Sequence, residues 1–174
     1  MQDNFADAWY LLRCRQNHWK TIQRNLNEAG LKTCCPLILE RRRRSDKKNA
    51  YRLTNSPAFP GYIFVRFNPD LIHTTAIKRI PGAMDFVKFG NNIATIHQKE
   101  IDALRTIHND LPAPGITSSL MHSKNATPGN TEIPEELQKV LTQIYNEQDP
   151  NARVNVLLSM LQKSSPPARR KNVN

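Results

Sequence analysis

The sequence predicts an α+β fold: an antiparallel sheet packed with helices, followed by a linker and a C-terminal α-hairpin. Three observations predict it. Short aromatic and β-branched runs alternate with amphipathic patterns over residues 1–110. Pro, Gly, Ser, Thr and Asn then dominate 111–131, which reads as a flexible linker. Over 132–163 two apolar stripes recur at helical spacing, each behind a start signal.

Trp9-Tyr10-Leu11-Leu12 is a short apolar run that predicts a buried strand. Asn17 offers an N-cap, Trp19, Ile22, Leu26 and Ala29 share one helical side, and Gly30 suits the stop, so a helix is expected over 18–29. Residues 34–39 return as a strand and run into the charge-dense 40–49, expected to be a hairpin tip. The Pro57-Ala58-Phe59-Pro60-Gly61 cluster breaks regular structure ahead of Tyr62-Ile63-Phe64-Val65-Arg66-Phe67, the strongest strand pattern of the chain. Asn68 or Asp70 is available to start a short helix over 70–79, which Pro81-Gly82 ends. Residues 85–90 and 92–96 suggest a β-hairpin, and 97–107 a helix with Ile101, Leu104 and Ile107 on one side. The order suggests a sandwich with helices on one face of the sheet.

In the C-terminal part, Pro134 suits a first helical position, with Glu135 and Glu136 favourable at a helix N-terminus. Leu137, Val140, Leu141 and Ile144 form one stripe. Asp149-Pro150 starts a second helix, whose stripe is Val154, Leu157, Leu158 and Leu161. Two short helices are marginal alone, so both stripes need a further surface, and the first domain is the obvious one. The basic, Pro-containing segment 164–174 reads as a disordered tail.

The net charge is +10, and residues 1–110 carry 18 Lys/Arg against 10 Asp/Glu. Residues 132–163 carry 3 against 5, so the two parts could attract each other. A basic domain favours phosphate backbones through counterion release. Cys14, Cys34 and Cys35 lack metal-ligand spacing and read as buried thiols. The polar, acidic start does not resemble a signal peptide, and no apolar run suits a membrane span, so a cytoplasmic protein is expected. No cofactor or metal is implied. Enzymatic RNA cleavage would need two titrating groups converging on one phosphate, and the five histidines are scattered, so the chain is read as no enzyme.

Four segments carry a family resemblance. Trp9-Tyr10-Leu11-Leu12 with Cys14, Phe59-Pro60-Gly61-Tyr62-Ile63-Phe64-Val65, Ile72-His73-Thr74-Thr75 and Phe86-Val87-Lys88-Phe89-Gly90 occur in order. Together they resemble the N-terminal domain of NusG-family transcription elongation factors, and specifically the specialised RfaH-like and ActX-type antiterminators. The resemblance covers about half of the chain and implies a NusG-type α/β sandwich over 1–110 that binds bacterial RNA polymerase.

The resemblance implies the site residues. Phe59, Tyr62, Phe64 and Phe89 inherit an apolar patch for the clamp helices of the largest polymerase subunit. Strand alternation puts Tyr62 and Phe64 on one face and Ile63 and Val65 on the other, so one face is available to a partner. His73, Thr74 and Thr75 match the gate-loop contact to the second-largest subunit. Arg15 and His18 align with positions that read the non-template DNA strand, and Arg13, Lys20 and Arg24 lie nearby for phosphates. Thr21 and Ile80-Pro81 depart from the family pattern, which puts recognition of one DNA element in doubt. The arginines at 41, 42, 43 and 44 are either a solvated tip or a contact to upstream DNA.

Leu141-Thr142-Gln143-Ile144-Tyr145 and Ala152-Arg153 are similar to the C-terminal hairpin of RfaH-like factors. There the hairpin masks the clamp patch and refolds into a KOW-type β-barrel that recruits ribosomal protein S10. Masking here would fall to Leu141, Ile144, Leu157, Leu158 and Leu161. Barrel formation is disfavoured by the absence of Gly after Gly129. Ser56 occupies the position of the family's acidic partner, so Arg153 is expected to lack that salt bridge. A monomer that suppresses pausing and termination of particular operons is implied. The alternative is a basic RNA- or ribosome-binding module without polymerase contact.

Overall fold

A computed structural model describes residues 7–106 and 133–164. Strand β1 (Ala8–Cys14) is the central strand of an antiparallel sheet. One edge pairs with β5 (Tyr62–Phe67), which also carries β2 (Lys32–Cys34). The other edge of β1 pairs with β6 (Ala83–Phe86) and, nearer its start, with β9 (Thr95–Ile96).

Side-chain alternation divides the core into two. Tyr10, Leu12 and Cys14 of β1 join Ile63, Val65 and Phe67 of β5 on one face. That face is covered by Ile22 and Leu26 of α1 (Trp19–Glu28) and Ile77 of α2 (Thr74–Lys78). The Phe67 ring lies 4.7 Å from Tyr10 and 5.4 Å from Phe86 between centroids. Trp9, Leu11 and Phe64 occupy the opposite face, beneath α3 (Gln98–Thr106), α4 (Glu135–Asn146) and α5 (Pro150–Ser164). Helices therefore cover both faces, where the sequence suggested one. The cause is in β1 itself: a strand whose Trp-Tyr-Leu-Leu run has no polar alternation is buried on both sides.

Several local elements differ from expectation. A 3-10 turn, Gln16–His18, leads directly into α1, so Asn17 lies inside a turn and His18 is the N-cap, without a side-chain bond. The exit uses Gly30 at φ +82°, and the Leu31 N–H closes on the Leu26 carbonyl at 3.1 Å. The charge-dense segment is not only a tip. It forms β3 (Leu37–Arg43), paired residue for residue with β4 (Tyr51–Pro57) in a separate two-stranded ribbon. Backbone pairing tolerates arginines there because the outer half of the ribbon contacts no core.

Asn68 Oδ1 accepts from the Asp70 N–H at 2.9 Å in a turn, and the helix expected over 70–79 is confined to α2, capped by His73. The expected 85–96 hairpin is narrower. Only β7 (Lys88–Phe89) and β8 (Asn92–Ile93) pair with each other, because the flanking β6 and β9 bond to β1. Before α3, Glu100 Oε2 accepts from the His97 N–H at 2.9 Å, half of a capping box. Pro134 is the N-cap of α4 and not its first helical residue, since its ψ of 139° is extended. Asp149 Oδ1 accepts from the Asn151 N–H at 3.1 Å at the start of α5. Ser164, assigned to the tail from sequence, closes α5. The expected linker over 111–131 and the tail beyond Ser164 lie outside the described residues, as does Ile107.

Candidate functional site

An apolar seam joins the sheet to the α-hairpin. Ile144, Leu157 and Leu161 are fully buried in it against Phe59, Phe64, Trp9 and Leu11, with Leu141 and Leu158 half-buried beside them. Phe59 and Phe64 meet edge to face, with centroids 6.3 Å apart and planes at 88°. Both are 2 % exposed or less, whereas Tyr62 and Phe89 are half-buried at the margin of the same cluster. The aromatic face that strand alternation left available is thus occupied by α4 and α5. Each fully covered large side chain is worth about 1.5–3 kcal/mol of burial.

A polar clamp crosses the seam. Arg153 of α5 is 3 % exposed, and its Nε donates to the Ala58 carbonyl at 2.9 Å. One terminal nitrogen donates to the Glu147 carbonyl at 3.0 Å, and the other lies 3.5 Å from a Glu40 carboxylate oxygen. As expected, Arg153 makes no ion pair at position 56, but it finds an acid elsewhere. Ser56 is buried in β4, and the acid comes from the neighbouring strand of the ribbon, where Glu40 stands on the same side. Burial lowers the Arg153 pKa, and Glu40, Asp149 and Glu147 oppose that shift. At the far end of α5, Ser164 Oγ lies 3.2 Å from a Glu100 carboxylate oxygen. Glu40 and the Ala58 carbonyl were missed from sequence. The available signal was a lone glutamate preceding four arginines, at the strand position that shares a side with Ile38.

The profile of a family described as transcription termination factor NusG matches residues 7–105. The chain belongs to the NusG family. The match spans the sheet, the ribbon and α1 to α3, and ends before α4. A solved structure titled for domain interaction in NusG of Thermotoga maritima is 18% identical, with a TM-score of 0.36 over 57% of this chain and 56% of that one. Members of the NusG family are transcription factors that act in elongation and termination. No helix among the described residues is long and apolar enough to cross a membrane.

In this NusG-family chain, His73 and Thr75 are exposed at the start of α2 and Thr74 is half-buried. His73 Nδ1 accepts from the Thr75 N–H at 3.3 Å and lies 2.8 Å from Thr75 Oγ1. The imidazole therefore already serves as the helix cap, and its other nitrogen is directed away from that bond. Arg15, His18, Lys20 and Arg24 are exposed along the entry to α1 and its first turns. Lys20 Nζ lies 5.5 Å from the Trp19 ring centroid, and Arg24 pairs loosely with Glu28 at 3.9 Å. Arg13, also exposed, is separated from them by strand alternation, on the opposite side of β1 from Leu12 and Cys14. Arg13 thus starts from the face of β1 that α1 does not cover.

All three cysteines are free thiols, and burial raises their pKa values, Cys14 to about 11 and Cys35 to about 12. Among the described residues, no group of three His, Cys, Asp or Glu side chains is placed to hold a metal ion.

Proposed function

We propose that this chain is a specialised NusG-family elongation factor that binds RNA polymerase and suppresses pausing and termination. Phe59, Tyr62, Phe64 and Phe89 are the clamp-helix contact on the largest subunit. His73, Thr74 and Thr75 are the gate-loop contact on the second-largest subunit. Bridging the two restrains the opened states of a paused enzyme, a population shift that needs no chemistry. Arg15, His18, Lys20 and Arg24, with Arg13 on the other side of the strand, hold the non-template strand through phosphates.

The observation that carries this reading is the coverage of Phe59 and Phe64 by α4 and α5. A sheet face rich in aromatics under a separable amphipathic hairpin is suited to exchange one apolar partner for another. Leu141, Ile144, Leu157, Leu158 and Leu161 then act as a mask over the polymerase-binding patch. The test is a pull-down of bacterial RNA polymerase by the full chain, by a chain lacking 132–174, and by Tyr62→Ala and Phe64→Ala in the shortened chain. The shortened chain is expected to bind more tightly, and each substitution to weaken it. Equal capture by the full and shortened chains removes the masking role; capture indifferent to both substitutions removes the aromatic contact.

A further inference from the structure

A cleft of about 600 Å³ lies along the crease between α4 and α5 and ends against the start of α3. Its floor is Leu137 and Val140 of α4 with Val156 and Met160 of α5. Leu137 and Met160 are each 8% exposed, and the two valines are half-buried. The aromatic patch described above takes no part: neither Phe59 nor Phe64 lines the cleft. Ligand sites are concavities of about 300–1,000 Å³, mostly apolar, with a few polar groups that fix orientation. Asn155 and Lys163 both line the α5 wall, which therefore runs for about 12 Å along the helix. That shape suits an extended apolar chain.

One end of the cleft carries both signs of charge. The Ser164 hydroxyl donates to Glu100 Oε1 at 3.2 Å, which brings the end of α5 beside the start of α3. Lys99 and Lys163 therefore share that end, with Glu136 on the α4 side. Glu100 also lines it, but its two oxygens already accept from Ser164 and from the His97 N–H. Among the described residues, Lys99 and Lys163 have no acidic partner and Glu136 has no basic one. Such a rim selects against a single charge: a lone carboxylate meets Glu136, and a lone ammonium meets the lysines. A head group that carries both charges satisfies all three side chains.

We propose that this cleft binds a single-chain amphiphile with a zwitterionic head. The anionic group lies on Lys99 and Lys163, the cationic group on Glu136, and the chain over Leu137, Val140, Val156 and Met160. The unbranched thioether of Met160 adapts to a chain of variable conformation. Because the occupant touches α3, α4 and α5 together, it binds only while the hairpin is docked on the sheet. The ligand thus holds the hairpin down, shifting the docking equilibrium about a hundredfold at a free concentration of about 100 times Kd. The site and its effect on docking stand whether or not the chain binds polymerase.

The experiment titrates the full chain, carrying carbon-13 at its methionine methyls, with decylphosphocholine, decanoate and decyltrimethylammonium, each below its micellar concentration. Met160 reports on the cleft, and Met84, 47% exposed on β6, reports on indiscriminate detergent binding. Decylphosphocholine is expected to shift the Met160 methyl saturably and to leave Met84 in place. The two singly charged amphiphiles are expected to bind about tenfold more weakly. Octylphosphocholine should lose up to about fourfold in affinity for each methylene removed. Ser159→Trp, which fills the cleft from an exposed position, should abolish the Met160 shift. Lys99→Gln/Lys163→Gln should weaken binding about tenfold. An unchanged thermal transition confirms the fold of both variants, and should the tryptophan lower it, the lysine pair carries the test. At about 100 times Kd, hydrogen exchange of the α5 amides should slow about a hundredfold, with α1 unaffected. Equal affinity for the three heads, a parallel shift of Met84, or binding indifferent to either folded variant overturns the proposal. Unchanged α5 exchange at saturation overturns the hold on the hairpin.

Discussion

Arg153 and Glu40, 113 residues apart in sequence, meet at 3.5 Å across the seam between the α-hairpin and the ribbon. The guanidinium is almost fully buried, while the carboxylate keeps about a quarter of its surface in water. Such a pair contributes less to stability than to the choice of one docked arrangement, since taking both charges from water costs nearly what their attraction returns. Removing one member is a different matter, because the other is left uncompensated.

Glu40→Ala is therefore expected to weaken docking of α4 and α5 by about 2 kcal/mol, the range for a hydrogen bond to a charged group. Hydrogen exchange on the α5 amides would show this as faster opening, with α1 unaffected. If the hairpin masks the polymerase patch, the same variant captures more polymerase than the wild type. Unchanged α5 exchange would mean that Glu40 does not hold the hairpin.

Substitution at Tyr62 and at Phe64 should separate binding from folding. Phe64 is 1% exposed, so Phe64→Ala in the full chain leaves a cavity and costs about 3–5 kcal/mol. Tyr62 is half-buried at the margin, and Tyr62→Ala is expected to cost about 1 kcal/mol, near the centre of the range for single substitutions. Thermal or denaturant unfolding checks the order. A larger loss at Tyr62 than at Phe64 contradicts the burial of the Phe64 ring beneath the α-hairpin.

The parts of the fold legible in the sequence were those whose burial is written locally. The apolar runs of β1 and β5 and the stripes of α4 and α5 state their own environment. Gly30 did the same for the end of α1, because a positive φ was needed there. Other features depended on partners far along the chain. Arg41, Arg42 and Arg43 look like a solvated tip until β4 is set beside them. Likewise, Ser56 told only that Arg153 lacks an acid at the aligned position; the acid on the neighbouring strand, Glu40, leaves no trace in local spacing. The division of helices between the two faces was also hidden, since an amphipathic pattern states that a helix is covered and not which side of the sheet covers it.

The role of His73 can be separated from its role as a cap. His73→Ala removes the side chain that accepts the Thr75 N–H, at a cost of about 1 kcal/mol to the turn. His73→Asn supplies another good cap while deleting the imidazole. If the ring touches the polymerase gate loop, both variants lose suppression of pausing in a transcription assay. If His73 only caps α2, the asparagine variant retains it.

Gly82 has a steric requirement independent of function. Its φ is +91°, and a Cβ there would stand 2.5 Å from Cγ1 and 2.6 Å from Cδ1 of Ile22, which is buried in α1. Gly82→Ala combines an unfavourable backbone region, about 1–2 kcal/mol, with displacement of a core side chain. A fall in the unfolding midpoint larger than that of Gly90→Ala, where a Cβ meets nothing within 4 Å, is the expected result.

The thiols supply a pH dependence whose sign follows from burial. A cysteine in an unfolded chain ionises near pH 8.5, roughly. Burial moves Cys14 to about 11 and Cys35 to about 12, and raises Cys34 in the same direction, against the opposing influence of Arg105. The folded state therefore disfavours the thiolate. Its advantage is fully present below the unfolded pKa and is lost as pH rises from there through the folded values. Stability should decline between about pH 9 and 11, and replacing Cys14 by Ala should flatten that decline. At pH 8 a thiol reagent such as dithionitrobenzoate is expected to react slowly with the native chain and rapidly with all three thiols in denaturant. Rapid labelling of Cys14 or Cys34 in the native protein at that pH would contradict their burial, Cys35 being partly exposed.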